Sequence, residues 1–192
     1  MTTIGFIRHG STFWNKIGRA QGSMNIPLDD EGKDHACLLA NRLKGEKWEY
    51  LISSDLLRAV QTAEIIAELN PHLSLIQDKR LREIDGGKIE GTTEEERVQR
   101  WGKDWRTLDL GREDTSSVVE RGMDCINDWI EKYPGKNVLF VTHGGMIKQL
   151  LTAMGVDSIG KSPLMNTSIT CVSRKNDKYV CELYNCTMHL SN

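Results

Sequence analysis

Arg8, His9 and Gly10 follow directly on the apolar run Ile4-Gly5-Phe6-Ile7. A short apolar run bounded by glycine reads as a buried strand. A cation at its exit calls for an anion, and the imidazole beside it is one of the few side chains able to attack phosphorus. The bland alternative is a solvated strand end whose charges face water. Two further sites repeat the pattern: Thr142-His143-Gly144-Gly145 follows the apolar run 138–141, and Arg58 lies one turn beyond Ser53-Ser54-Asp55. Placed there, the Arg58 guanidinium folds toward a helix N-terminus, whose free N–H groups favour an anion. Gly144 and Gly145 let backbone approach a ligand closely, with His143 at the mouth of its helix. Two arginines, two histidines and two helix N-termini around one point describe a phosphate pocket. The arginine fork meets two phosphate oxygens at once, and so cationic a cluster needs its ligand's dianion in a partly buried crevice.

The elements that must bring these residues together are legible from periodicity. Strands are expected at 3–8, 50–53, 74–77, 138–142, 167–173 and 178–184. Asp29 or Asp30 can cap a helix carrying Ala36, Leu39, Ala40 and Leu43 on one face. Ser54 or Asp55 can cap a second, through Ala59, Ala63, Ile66 and Ala67. A third spaces Val119, Met123, Ile126, Ile130 and Tyr133 and stops at Pro134-Gly135, and a fourth runs from Met146 to Met154. The tail alternates around Asn176-Asp177, as a hairpin does. The implied fold is α/β, a three-layer sandwich: a mostly parallel central sheet with an antiparallel edge and helices on both faces. In such sheets ligands bind at the carboxyl ends of the strands, where all three polar sites fall.

Composition narrows the class. The length fits one domain, 1–192, able to bury a sizeable core. A formal net charge of −2 argues against a nucleic-acid binder. No run of about 18 apolar residues suggests a membrane span, and no signal peptide is visible. The five cysteines are scattered and odd in number, without a C-x-x-C pair, which suits reduced thiols in a cytoplasmic protein. His35, His72 and His189 stand apart, so no metal-ligand spacing is present and no metal or other cofactor is expected.

Taken in order, these segments resemble the histidine phosphatase, or phosphoglycerate-mutase-like, superfamily over nearly the whole chain. Arg8-His9-Gly10-Ser11-Thr12-Phe13-Trp14-Asn15, continued through Gly18-Arg19, Gln21-Gly22 and Ile26-Pro27-Leu28, is similar to its first signature. The stretch from Ser53 to Ala63 resembles the second, Leu81-Arg82-Glu83 with Gly87 and Glu90-Gly91 the segment holding the acid, and Val141 to Gly145 the last. The resemblance implies a two-step transfer: His9 attacks phosphorus, and Glu83 protonates the departing alcohol, then activates water. It implies that Arg8, Arg58 and His143 hold the phosphoryl oxygens, with Asn15, Gln21 and Gly144 as further substrate contacts, and that no metal is required. From spacing alone, Asp85 and Glu90 compete with Glu83 for the acid's role, and Asn15 and Gln21 read equally as turn residues.

The chain also departs from the family pattern. Ser11 stands where glutamate is common, Gly86 and Ile89 where aromatics are common, and Glu113-Asp114 where a Glu-Ser pair is usual. A cap over the site is expected at about 84–114. Its Arg97, Arg100, Trp101, Lys103, Trp105 and Arg106 read either as a clamp for a second anionic group or as an amphipathic helix, tryptophans in core and arginines in water. The expected function is metal-independent phosphomonoester hydrolysis of a small phosphorylated metabolite. The alternatives are a cofactor-dependent phosphoglycerate mutase and a catalytically silent phospho-ligand binding module. No nucleic-acid or membrane partner is expected.

Overall fold

Alternation along β1 (Thr2–Arg8) sends Ile4 and Phe6 to one face and Ile7 to the other, and the fold follows from burying both. The computed structural model describes residues 2–156, 162–175 and 178–191; the Asn176-Asp177 turn lies outside them. The remaining strands are β2 (Tyr50–Ser53), β3 (Leu75–Gln77), β4 (Asn137–Thr142), β5 (Ile169–Lys175) and β6 (Lys178–Cys186). They form one sheet in the order β3-β2-β4-β1-β5-β6. The first four run parallel, and β5 pairs antiparallel with both β1 and β6, giving the expected antiparallel edge.

The short α1 (Phe13–Lys16) follows β1. One face of the sheet is covered by α2 (Asp30–Leu43) and α3 (Leu57–Leu69), which bury Leu39, Leu43, Ala59, Ala63 and Ile66 against Ile7, Leu51, Leu139 and Val141. The outlying α4 spans Glu94–Trp101. The other face is covered by α5 (Thr115–Lys132) and α6 (Gly144–Ala153), packed on Ile4, Phe6, Ile52, Val138 and Phe140. Among the described residues, no helix is long and apolar enough to cross a membrane.

Three expectations are corrected. Asp29 caps α2, through Gly32 N–H at 2.7 Å, but neither Ser54 nor Asp55 caps α3, whose N-cap is Leu56 without a side-chain bond. The buried stripe of α5 keeps Ile126 and Ile130, with Met123 and Tyr133 half-buried at its margin, but runs through Val118, Gly122, Cys125 and Trp129 rather than through Val119. Trp129 sets that rotation, because its ring must meet Tyr50 and Tyr133, the latter pair stacking at 4.2 Å. Finally, α6 begins at Gly144, two residues earlier than periodicity suggests, because glycines carry no hydrophobic signal.

Candidate active site

The ends of β1, β2 and β4 are neighbours in the sheet, so the sites they carry converge. His9, Arg58 and His143 are all buried, and the His9 and His143 rings lie 5.2 Å apart. His9 Nδ1 meets the Gly10 carbonyl at 2.7 Å, which makes Nδ1–H the donor and leaves the lone pair on Nε2. Arg58 Nε–H donates to that Nε2 at 3.2 Å, while its two terminal nitrogens donate to the carbonyls of Met24 (2.7 Å) and Gly22 (2.8 Å). For Nε2 to attack phosphorus, the bond from Arg58 must yield to it.

His143 Nε2 lies 2.9 Å from Ser54 Oγ, which already accepts from Leu56 N–H. When Ser54 donates to Nε2, the imidazole proton sits on Nδ1, a buried atom without a hydrogen-bond partner among the described residues. Arg8 Nε is likewise buried and unpartnered, with Nη1 of the same guanidinium donating to the Leu164 carbonyl. Unsatisfied buried donors are costly. These two, beside His9, are both free to donate to an anion.

Electrostatics agree. Burial, then the nearby Arg58 and Arg8 charges, hold His9 neutral to well below its ordinary value, against the pull of the Gly10 carbonyl. His143 is held neutral by burial and by Arg58, His9 and Arg8. Burial lowers Arg58 to about 10, Arg8 adding to the effect. The guanidiniums therefore carry charge at neutral pH and the imidazoles do not, as a nucleophile requires.

Glu83 sits on the loop after β3, its carboxylate turned onto the start of α6. Oε2 accepts from Gly145 N–H at 3.0 Å, and Oε1 from Met146 and Ile84 N–H, both at 3.0 Å. This corrects the picture of two helix N-termini facing the phosphate: the N–H groups of Gly145 and Met146 hold the carboxylate instead. At the start of α3, Leu57 N–H goes to Asn25 Oδ1 at 2.9 Å. Gly144 lies against Arg8, where a Cβ would come within 3.4 Å of Nε.

The other carboxylates have different partners. Glu90 Oε1 accepts from Ser23 N–H (2.7 Å) and Gly86 N–H (2.9 Å), clasping two loops together. Asp85 accepts from Gly87 N–H and is exposed. Asn15 Oδ1 closes a capping box with Thr12 at the start of α1, and Gln21 is buried with Oε1 unpartnered. Ser11 donates to Asp29 and so ties the loop after β1 to α2.

A cleft of about 570 Å³ opens beside Glu83, lined by Ser23, Lys79, Arg82, Arg112, Glu113 and Arg121 among others. The basic, aromatic stretch of 84–114 does not face it as a clamp. Trp105 is buried between the Arg97 and Arg106 guanidiniums, 4.9 and 4.3 Å from its ring centre. Both arginines pair with Glu94. The amphipathic alternative describes this better, except that Arg97 is buried, its Nη1 donating to the Thr92 carbonyl at 2.9 Å. Ser54 belongs to one of the three polar strand ends legible in the sequence, and its partner is His143 rather than the α3 backbone cap. Asn166 (donating to the His9 carbonyl at 2.9 Å) and Arg121 lie far from every motif and carry no sequence signal.

Guanidiniums and neutral imidazoles meet here at the carboxyl ends of parallel strands, where α/β proteins bind their ligands. Residues 4–187 match the family model of the histidine phosphatase superfamily (branch 1). The chain belongs to that superfamily. It is 32% identical to the uncharacterized phosphatase PhoE of Bacillus subtilis (strain 168), covering 100% of this chain and 98% of that one. It is 31% identical to a metal-independent phosphoserine phosphatase of Arabidopsis thaliana, covering 100% and 84%. Among solved structures, a mutant phosphoserine phosphatase from Entamoeba histolytica, in complex with phosphoserine, superimposes with a TM-score of 0.82 at 27% identity over 99% and 100% of the two chains. Family and relatives together support phosphatase activity.

Proposed function

We propose that the chain hydrolyses a small phosphorylated metabolite, a phosphomonoester, without a metal and through a phosphohistidine at His9. The observation that carries this reading is the His9 tautomer: Nδ1–H is held by the Gly10 carbonyl and the Nε2 lone pair is turned to Arg58. In the first step a bond forms from Nε2 to phosphorus as the ester P–O bond breaks, and the Glu83 carboxyl gives its proton to the leaving oxygen. In the second step Glu83 takes a proton from water as the water oxygen bonds to phosphorus, and the P–N bond breaks to restore neutral His9. Arg8, Arg58, His143 Nδ1 and the Asn15 amide hold the phosphoryl oxygens, with Gln21 and Gly144 at the rim; positioning and charge are what this chemistry asks of a protein.

Residues 1–192 act in this reading as one domain, with 84–114 as a cap and the cleft beside Glu83 receiving the alcohol half of the ester. Among the described residues, no ion-pair partner is found for Lys79 or Arg112 on its wall, which suits an alcohol carrying a negative group. Phosphoserine, the substrate named for two relatives, has such a group. Its reduced, scattered thiols suit a cytoplasmic enzyme. The test is phosphate release from 4-nitrophenyl phosphate in EDTA, wild type beside His9→Ala. Activity that survives EDTA and vanishes in a folded His9→Ala protein supports the reading. Activity retained by His9→Ala removes His9 as nucleophile, and none in either protein moves weight to the mutase.

A further inference from the structure

Arg121, on α5, spends a whole guanidinium on the segment that carries Glu83. Nε and Nη2 grip the two Glu113 carboxylate oxygens at 2.7 and 2.8 Å. Nη1 donates to the carbonyls of Arg80 (2.7 Å) and Arg82 (2.8 Å), and Nη2 donates again, to the carbonyl of Glu83 itself, at 3.1 Å. A guanidinium has five N–H donors, and these bonds use all of them. Although it lines the cleft, Arg121 therefore has no donor left for a phosphate oxygen. Its effect passes through the backbone on either side of Glu83.

The opposite end of Glu83 is fixed separately, by the N–H groups of Gly145 and Met146 on α6. The residue is thus held at its carbonyl from α5 and at its carboxylate from α6, two helices that pack on the same core. Glu113 completes the hold: it accepts from Asp85 N–H at 3.2 Å, and its own N–H donates to the Asp85 carbonyl at 2.9 Å, so the segment just after Glu83 is secured as well. The Arg121 pair pulls the Glu113 carboxylate below the usual range, so the grip is between full charges.

We propose that Arg121 is a positioning residue for the general acid, setting where Glu83 meets the leaving oxygen. The inference rests on the reading of Glu83 as that acid, and the test separates the two. A merely structural arginine, when removed, slows every ester alike. An arginine that aims the acid matters most where the departing oxygen needs a proton, hence more for phenyl phosphate than for 4-nitrophenyl phosphate.

The experiment measures kcat/KM on both esters for wild type, Arg121→Met, Glu83→Gln and the double variant. Expected is a fall of about tenfold in the phenyl-to-nitrophenyl ratio for Arg121→Met, a fall at least as large for Glu83→Gln, and none further in the double variant. Equal slowing of both esters by Arg121→Met, while Glu83→Gln still lowers the phenyl-to-nitrophenyl ratio, overturns the inference and leaves the proposed function standing. An unchanged ratio in Glu83→Gln overturns the acid assignment and the inference together. No turnover by wild type overturns the phosphatase reading itself. Should Arg121→Met not fold, Arg121→Lys, which keeps the charge but loses the fork, is judged by the same ratios.

Discussion

His9 and His143 are histidines whose burial among arginines decides their protonation, and that has a consequence for stability as well as for catalysis. Both are held neutral in the folded protein well below the ordinary 6.5, by burial first and by neighbouring charge second. In the unfolded chain both take up protons as pH falls through about 6.5. The unfolded state then binds more protons, so stability is unaffected by these groups above that pH and is lost progressively below it. Thermal melts at pH 7.5, 6 and 5 are expected to fall less steeply for His9→Ala than for wild type. A parallel fall would show that the His9 ring is not held neutral. The proposed chemistry follows the same sign: the His9 imidazole stays neutral as the solution passes through pH 6.5. At this scale the sequence was most legible, because Arg8, His9 and His143 sit at strand exits and Arg58 in the first turn of the helix that follows one. Arg121 was invisible, since an arginine on an amphipathic helix looks solvated until its five acceptors are in place.

Elements explain how those residues come to face one another. The start of α6 offers N–H groups that a carboxylate fills, and it can do so only because position 145 is glycine: a Cβ there would lie 2.5 Å from Glu83 Oε1. Alanine ordinarily favours a helix over glycine by up to about 1 kcal/mol, so Gly145→Ala sets helix propensity against the seat of the Glu83 carboxylate, the proposed acid. Turnover of phenyl phosphate is expected to fall by about tenfold or more while the melting temperature changes little. Full activity would show that Glu83 works without its seat on α6. Strand positions and sheet class were readable from alternation, and so was the apolar face of α2. The α3 cap and the rotation of α5 were not. Both are set by tertiary partners, Ser54 being drawn to His143 and Trp129 to Tyr50, which local pattern does not encode.

Across the whole molecule, the sheet separates two cores and gathers this pocket at the carboxyl ends of its β1, β2 and β4 strands. Because the buried Arg58, the half-buried Arg8 and two buried imidazoles are assembled there by the fold, an anion that binds only the folded form is expected to stabilise it. Inorganic phosphate at about a hundred times its dissociation constant is expected to raise the melting temperature by about 5–10 °C. Arg58→Ala should lose most of that shift, and a shift kept in full would place the anion elsewhere. The loop at 20–25 ties this pocket to the outlying segment: Arg58 holds the carbonyls of Gly22 and Met24, and Glu90 holds Ser23 from the other side. Gly22, at φ +49, leaves no room for a side chain, since a Cβ would fall 1.9 Å from Glu90 Oε1. This contact bears on how the enzyme can be altered. A library that randomises 84–114 to seek new substrates can vary the surface of α4 freely, but each clone that gives up Glu90 also loosens the loop that steadies Arg58. New specificity is therefore most readily selected with positions 22 and 90 kept fixed, the joint that fastens 84–114 to the pocket wall.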